Sequence, residues 1–270
     1  MWNRAQIKGD IKMTTKKKDD PYTVKNKTNK EQNENAAKTV VTVKSDTLRL
    51  FVSAIKGCIS TVILNIEESR MLCSTVDNAN VSLIIAECEC KTEFEKDSPL
   101  RVGVDVDILN KALLHAKGCS VTLTFTEASV EATFGRFTAS FPTTDIGFVR
   151  EEPKTPTLAL NTTVSIPGKY LWEASTSVSK KGRIIIYVKD KVVFLQTEDG
   201  DLTQKEVVGT VDKKSNARSI FSNDYIRQIV SNVRDVDVVV SFDIDHPMKM
   251  HAEKNGCKFD FLLAPRIESD

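Results

Sequence analysis

No run of about eighteen apolar residues occurs in the chain, so no segment reads as a membrane-spanning helix. The opening MWNRAQIKGD has no apolar centre and does not read as a secretory signal. Histidine is scarce: His115, His246 and His251 are the only three, and none has a matched nucleophile. His246 follows Asp245, but neighbours in a strand point to opposite faces, which argues against an acid–base pair. There is no glycine-rich loop to cradle a phosphate and no His-Glu-x-x-His. We therefore expect no enzyme, no catalytic residues and no cofactor. Six cysteines (Cys58, Cys73, Cys88, Cys90, Cys119 and Cys257) are scattered through apolar runs and, without a secretory signal, should be reduced. Cys88 and Cys90 share one face of a strand, but no histidine lies near them, so no metal site is expected.

Charge is present in both signs, with a formal net of +1 that hides a division. Residues 1–38 carry ten Lys/Arg and five Asp/Glu, are rich in Asn and Thr, and hold few apolar residues. This composition predicts a disordered basic tail without a sharp role, and Met13 is a second possible initiator. The rest of the chain is acidic by four charges.

From Thr39 onward one plan is used twice. A strand at Val40–Val43 leads to a helix, capped by Ser45 or Asp46, that buries Leu48, Phe51, Val52 and Ile55 and stops at Gly57. Strands follow at Ser60–Ile66, Met71–Thr75, Val81–Glu87 and Leu100–Val104. A second helix capped by Asp105 or Asp107 comes next, then strands at Ser120–Phe125, Val130–Phe134 and Phe137–Phe141. The second half reads as strand Leu158–Ile166, helix Gly168–Ser179, strands Ile184–Lys189, Lys191–Thr197 and Glu206–Val211, a helix capped by Ser222 or Asn223, and strand Val236–Ile244. Strands outnumber helices, which predicts an α+β fold with two similar domains, 39–144 and 158–270. Residues 145–157, DIGFVREEPKTPT, read as an exposed connecting loop. The chain closes on a hairpin, because Asn255-Gly256 separates two strand-like runs, and the second run should end at Ala264-Pro265.

Several segments carry a resemblance. The terminal LAPRIE, Thr75–Val81 (TVDNANV), Val102–Asp105 (VGVD), Arg150–Pro156 (REEPKTP) and Phe221–Tyr225 (FSNDY) stand in the order of similar motifs in the archaeal type of proliferating cell nuclear antigen, PCNA. The resemblance covers Thr39 to the end; residues 1–38 have no counterpart, and the helix at Gly168–Ser179 lacks the basic residues usual in its middle. It implies a DNA polymerase sliding clamp, a processivity factor with the DNA-clamp fold. Three copies, most simply a homotrimer, form a ring with helices inside and sheets outside.

The resemblance also implies sites. Sequence-independent contact with double-stranded DNA falls to Arg49, Lys56, Lys111, Arg227 and Arg234, which periodicity puts on the polar faces of helices. A partner-peptide groove is implied at Val76, Asn80, Val81, Leu83, Phe148, Pro156, Pro247, Met248, Leu262, Ala264 and Pro265. Its users would be DNA polymerase, the clamp loader replication factor C, flap endonuclease and DNA ligase. Ring contacts are implied at Phe137, Ala139 and Phe141 on one strand and Val207, Val208 and Val211 on another. The implied location is the cytoplasm, on the nucleoid, for an archaeal protein and the nucleus for a eukaryotic one. A diverged clamp-like scaffold or checkpoint subunit that does not self-trimerise fits the same pattern, as does a duplicated α+β hydrolase.

Overall fold

Where helix and strand periodicity is strong, the computed structural model of the protein follows it; it describes residues 38–95, 99–213 and 215–266. The basic tail and Met13 lie outside the described residues, apart from Lys38. The first half runs β1 (Thr39–Lys44), α1 (Ser45–Lys56), β2 (Thr61–Ile66), β3 (Arg70–Val76), β4 (Ser82–Glu89), β5 (Lys91–Phe94), β6 (Leu100–Asp105), α2 (Val106–Ala112), β7 (Ser120–Phe125), β8 (Ser129–Phe134) and β9 (Phe137–Pro142). The second runs β10 (Thr162–Pro167), α3 (Gly168–Ser177), β11 (Arg183–Lys189), β12 (Val192–Asp199), β13 (Leu202–Thr210), β14 (Arg218–Ser222), α4 (Asn223–Val230), β15 (Asp237–Phe242), β16 (Met248–Lys254) and β17 (Cys257–Leu263). Each half is a strand, a helix, a run of strands, a second helix and three strands.

The helix starts depart from expectation. Neither Ser45 nor Asp46 caps α1; Ser45 is its first helical residue. The Ser45 hydroxyl instead accepts the Cys119 N–H at 3.2 Å, while its own N–H donates to the Cys119 carbonyl at 2.9 Å. Asp105 does cap α2, accepting the Ile108 N–H at 2.9 Å. Asn223 begins α4, but its side chain is fully buried and reaches across to α3. Its amide donates to the Ser175 carbonyl in the last turn of α3 and to the Ser179 carbonyl just beyond it, each at 2.9 Å, so it supplements the backbone bonds where the helix ends. At the start of α3, Gly168 lies so close to the carbonyl of Val233 that a Cβ would collide with it.

Three antiparallel sheets result: β5-β1-β7-β8-β9, β10-β15-β16-β17-β4-β3-β2-β6, and β13-β12-β11-β14. The eight-stranded sheet joins the halves because β17 pairs with β4 from Cys257↔Cys88 to Leu263↔Ser82. The terminal hairpin takes the expected turn, with Asn255 at φ 50 and Gly256 at φ 72. Strand β5 is short and charged and gave no apolar signal in the sequence. The expected strand at 158–166 begins only at Thr162, since Leu158 and Leu160 line a groove instead of joining a ladder.

Alternation along the seam divides the molecule into two faces. Ile84, Ala86 and Cys88 of β4 point inward with Cys257, Phe259 and Phe261 of β17, and α1 packs over both strands. Helices α1 and α2 pack together, as do α3 and α4. The Ser53–Asn232 hydrogen bond at 2.8 Å and the close approach of Gly57 to Gln228 place α1 beside α4. The four helices thus share one side of the seam. Replacing Asn223 with Ala should cost about 1–3 kcal/mol, because the carbonyl of buried Ser175 loses the side-chain amide that donates to it. Urea unfolding measures this, and an unchanged midpoint would mean that the buried amide contributes nothing.

Candidate functional site

On the helical face, Arg49 and Lys56 lie on α1, Lys111 on α2 and Arg227 on α4. Arg234 lies beyond the end of α4, in the turn that follows, with its guanidinium 5.8 Å from the Trp172 ring centre. The expected helical spacing of Arg227 and Arg234 therefore does not hold, because α4 stops at Val230. Lys56 meets Asp107 at 3.3 Å, and Arg49 donates to the Ala116 carbonyl at 3.3 Å. These partners orient the cations while leaving Lys56 exposed. Exposed pairs of this kind contribute little energy and leave positive charge available.

On the opposite face, residues 155–160 cross the sheet. A cavity of about 270 Å³ is lined by Ile85, Thr155, Pro156, Leu158, Leu160, Ser241, Lys249, Asp260 and Leu262. Of the predicted groove residues this brings together Pro156 and Leu262. Val81 and Ala264 also meet, through the Ala264 N–H donated to the Val81 carbonyl at 2.9 Å. Asn80 is exposed at φ 57, and Val76 and Pro265 are half-buried. Phe148 is 88% exposed, an apolar ring presented to solvent. Pro247 is half-buried. Leu83 is buried, and Met248, at 3% exposure, belongs to the core. Met248 is a correction: it pairs with Leu263 on the inward-facing register and offers no surface to a ligand. Sequence reasoning missed Ile85, Leu158, Leu160, Ser241, Lys249 and Asp260; alternation on β4 and β17 puts Ile85, Asp260 and Leu262 on this face.

A carboxylate clasp ties the two halves beside the start of the loop. Asp77 accepts the N–H groups of Val81 and Ser82 at 2.7 Å, that of Ala79 at 3.1 Å, and the Tyr225 hydroxyl at 2.9 Å. Arg150 of the loop donates to the Asp77 carbonyl at 3.0 Å and to the Asn80 side chain. Burial pushes the Asp77 carboxyl up, but these four donors outweigh it and hold it below the usual carboxylate range. Burial, together with the Asp77 charge, pushes the Tyr225 hydroxyl up to about 12.

The predicted ring strands are both sheet edges. Phe137 and Val207 are exposed, and Ala139 and Val211 are half-buried. Phe141 and Val208 are corrections: both side chains are buried in their own subunit, as alternation along β9 and the bulge at Val193/Phe194 opposite β13 dictate. Ala139 is a subtler case. The Thr143 N–H donates to the Ala128 carbonyl, which makes every odd residue of β9 the hydrogen-bonded partner of β8. The open edge is therefore presented by the backbone of Thr138 and Ser140, not by Ala139. Among the described residues no cluster of ligating side chains could hold a metal ion.

No protein-family model matches the chain. The chain is similar to the DNA polymerase sliding clamp of Methanosphaerula palustris, 31% identical over 247 residues that cover 85% of this chain and 98% of the relative. The sliding clamp of Methanothrix thermoacetophila is 28% identical over 240 residues, covering 84% and 98%. Among solved structures, Archaeoglobus fulgidus PCNA bound to the C-terminal region of FEN-1 superimposes with a TM-score of 0.77 at 20% identity, covering 86% of this chain and all of that one. Entamoeba histolytica PCNA gives 0.74 at 17% identity. At such identities these structures speak for the fold.

The Asp77 clasp makes acid stability legible. A carboxyl whose folded pKa is depressed contributes stability that is fully present above its unfolded value and is lost as pH falls through the folded value. Asp77→Asn should lower the unfolding midpoint at neutral pH and flatten its decline as pH falls below the ordinary carboxylate value of about 4. Urea titrations across that range measure it, and parallel acid limbs for variant and parent would count against the clasp.

Proposed function

The chain belongs to the DNA polymerase sliding clamp family, and on that premise we propose that three copies close into a ring around duplex DNA and tether replication and repair enzymes to it. A clamp of this kind is a processivity factor and not an enzyme. One observation supports the reading above the others: the basic helices and the loop-covered groove lie on opposite faces of one sheet system, which leaves the edges β9 and β13 open. A ring formed by pairing β9 of one copy with β13 of the next turns the helices toward the DNA and the groove outward. Arg49, Lys56, Lys111, Arg227 and Arg234 then face phosphates, which carry no sequence information and permit sliding. The acidic balance of residues 39–270 favours DNA in the channel over DNA on the rim. Such a ring works on the chromosome, in the compartment that holds it.

Partner peptides occupy the outer face. Polymerase, clamp loader, flap endonuclease and ligase would each insert an apolar anchor beside Leu262, Pro156 and Ala264, with Phe148, Val76, Asn80, Val81, Pro247 and Pro265 around it. Domain boundaries at 39–144 and 158–270, joined by 145–157, accord with this division of labour.

Ring closure is tested at β9. Ser140→Pro removes an N–H that points to the open edge while sparing the ladder to β8. The parent should sediment at three times the chain mass and lengthen the products of a cognate polymerase on a primed circular template. The variant should sediment as a monomer and lose that stimulation. A parent that is monomeric and inert would overturn the ring; a variant that stays trimeric would exclude β9 as the interface.

The groove is tested at Thr155, which is exposed on its wall. Thr155→Ile adds apolar contact and should tighten binding of a consensus partner peptide by up to about 1 kcal/mol. Calorimetry measures the change, and unchanged affinity would place the anchor elsewhere.

A further inference from the structure

The seam between the halves contains two cysteines placed for chemistry that the clamp reading does not use. Cys88 of β4 and Cys257 of β17 are directly opposed in the ladder. The Glu89 N–H donates to the Gly256 carbonyl at 2.9 Å and the Ala264 N–H to the Val81 carbonyl at 2.9 Å. Both bonds join residues opposed in the same register, so 89/256 and 81/264 are hydrogen-bonded pairs and 88/257 falls on the alternate, non-hydrogen-bonded class. Opposed residues of that class sit with Cα atoms about 4.5 Å apart and side chains on one face. A disulfide spans Cα separations of about 4.4–6.8 Å, a range that includes the spacing typical of this pair class. Both side chains are buried on the inner face, and both are free thiols in the structure.

We propose that Cys88 and Cys257 are a redox-responsive dithiol whose cross-strand disulfide locks the two halves of the chain together. With a peroxide as oxidant the step balances. One thiol reduces the O–O bond, becoming a sulfenic acid and releasing water. The second sulfur attacks it, the S–S bond forms, and a second water leaves, so two electrons pass from the pair to one peroxide.

The surroundings set the rate. Burial pushes the Cys257 thiol up to about 12 and the Cys88 thiol well above its ordinary value, so neither is a ready nucleophile while the seam is closed. The Cys257 thiol donates to the Thr47 carbonyl at 3.3 Å, which holds it against α1. Access comes from the turn. Cys257 is the first residue after the exposed Asn255-Gly256 corner, and the cleft beside that corner, about 820 Å³, is lined by Asn255, Gly256, Glu89, Thr47 and the half-buried Cys90 and Cys119. Fraying of the hairpin end is enough to open the pair to a small oxidant. The closed disulfide spans more than half of the chain, the kind of long loop whose closure most restricts the unfolded state.

The experiment equilibrates the full chain with hydrogen peroxide in urea kept below the unfolding midpoint, where the hairpin opens and the chain stays folded. After quenching and blocking of free thiols, non-reducing peptide mapping should find one linked pair joining the Cys88 and Cys257 peptides, lighter by two hydrogens. The oxidised chain should melt several degrees higher, a gain reversed by reductant. Cys257→Ser should lose both the link and the shift. Cys90→Ser should keep both, which separates the seam from the cleft thiols. Recovery of Cys88 and Cys257 as free thiols or as separate sulfinic acids, or a link between Cys90 and Cys119 instead, would overturn the proposal. None of these readouts requires a ring or DNA, so they stand or fall apart from the clamp reading.

Discussion

The joining of the two halves into one sheet depends on the pairing of β4 with β17. The two strands stand far apart in the chain, and bringing them together carries the entropy of closing a very long loop. What offsets that cost is the inner register, where Ile84, Ala86 and Cys88 meet Phe261, Phe259 and Cys257 under α1. Without it each half is a small sheet with an unpaired, strongly apolar edge. With it there is one eight-stranded sheet, helices on one side and a connecting loop on the other. Both interfaces of the clamp reading inherit their orientation from this ladder.

The two faces then use different physics. In the proposed ring the helical face needs weak, distributed attraction, because a tight site would stop motion along DNA. Cations that are partly engaged, the exposed Lys56 with Asp107 and the half-buried Arg49 with the Ala116 carbonyl, suit that requirement: their field persists while their flexibility is restrained. The proposed partner groove needs a pocket that takes a few anchors, and there the sheet supplies a floor and the loop a wall. The Asp77 clasp connects the two. Its carboxylate holds Tyr225 of α4, its backbone carbonyl holds Arg150 of the loop, and the turn it organises carries Asn80.

Much of this was legible in the sequence. The helices follow apolar residues at 3.6 spacing, the strands follow alternation, and Asn255-Gly256 announced its hairpin through the φ values that only such residues adopt easily. What escaped was set by tertiary demand. Ser45 and Asn223 look like caps, but each is used across the fold, one on Cys119 just before β7 and one on α3. Strand β5 is polar because it lies on an edge, so periodicity gave no sign of it. Met248, Phe141 and Val208 were assigned to surfaces by position in a motif, and their facing was decided by register. The groove floor of Lys249, Asp260 and Ser241 was invisible because polar residues on an outer strand face carry no signal until a loop is seen to cover them.

The edges of the sheets are unequally open to pairing. Among the described residues, the sheets end at β5, β9, β10, β6, β13 and β14. Four of these are blunted in different ways. β5 has four residues, two of them charged. β6 is bridged by Thr144, whose N–H donates to the Gly103 carbonyl at 2.8 Å. β14 gives its Arg218 and Ile220 carbonyls to the N–H groups of Asp245 and Arg266. β10 lies against β13, with Gly209 close on Val164. That leaves β9 and the outer run of β13, where Phe137 and Val207 are exposed beside unpaired backbone. Pro142 ends the first and a bulge interrupts the second, so each offers only a short run of donors and acceptors. A short, capped edge in each half cannot template an indefinite sheet through one strand alone. In the proposed ring it pairs with the complementary edge of another copy, and the fixed angle between the two edges within one chain would then decide whether successive copies close or continue.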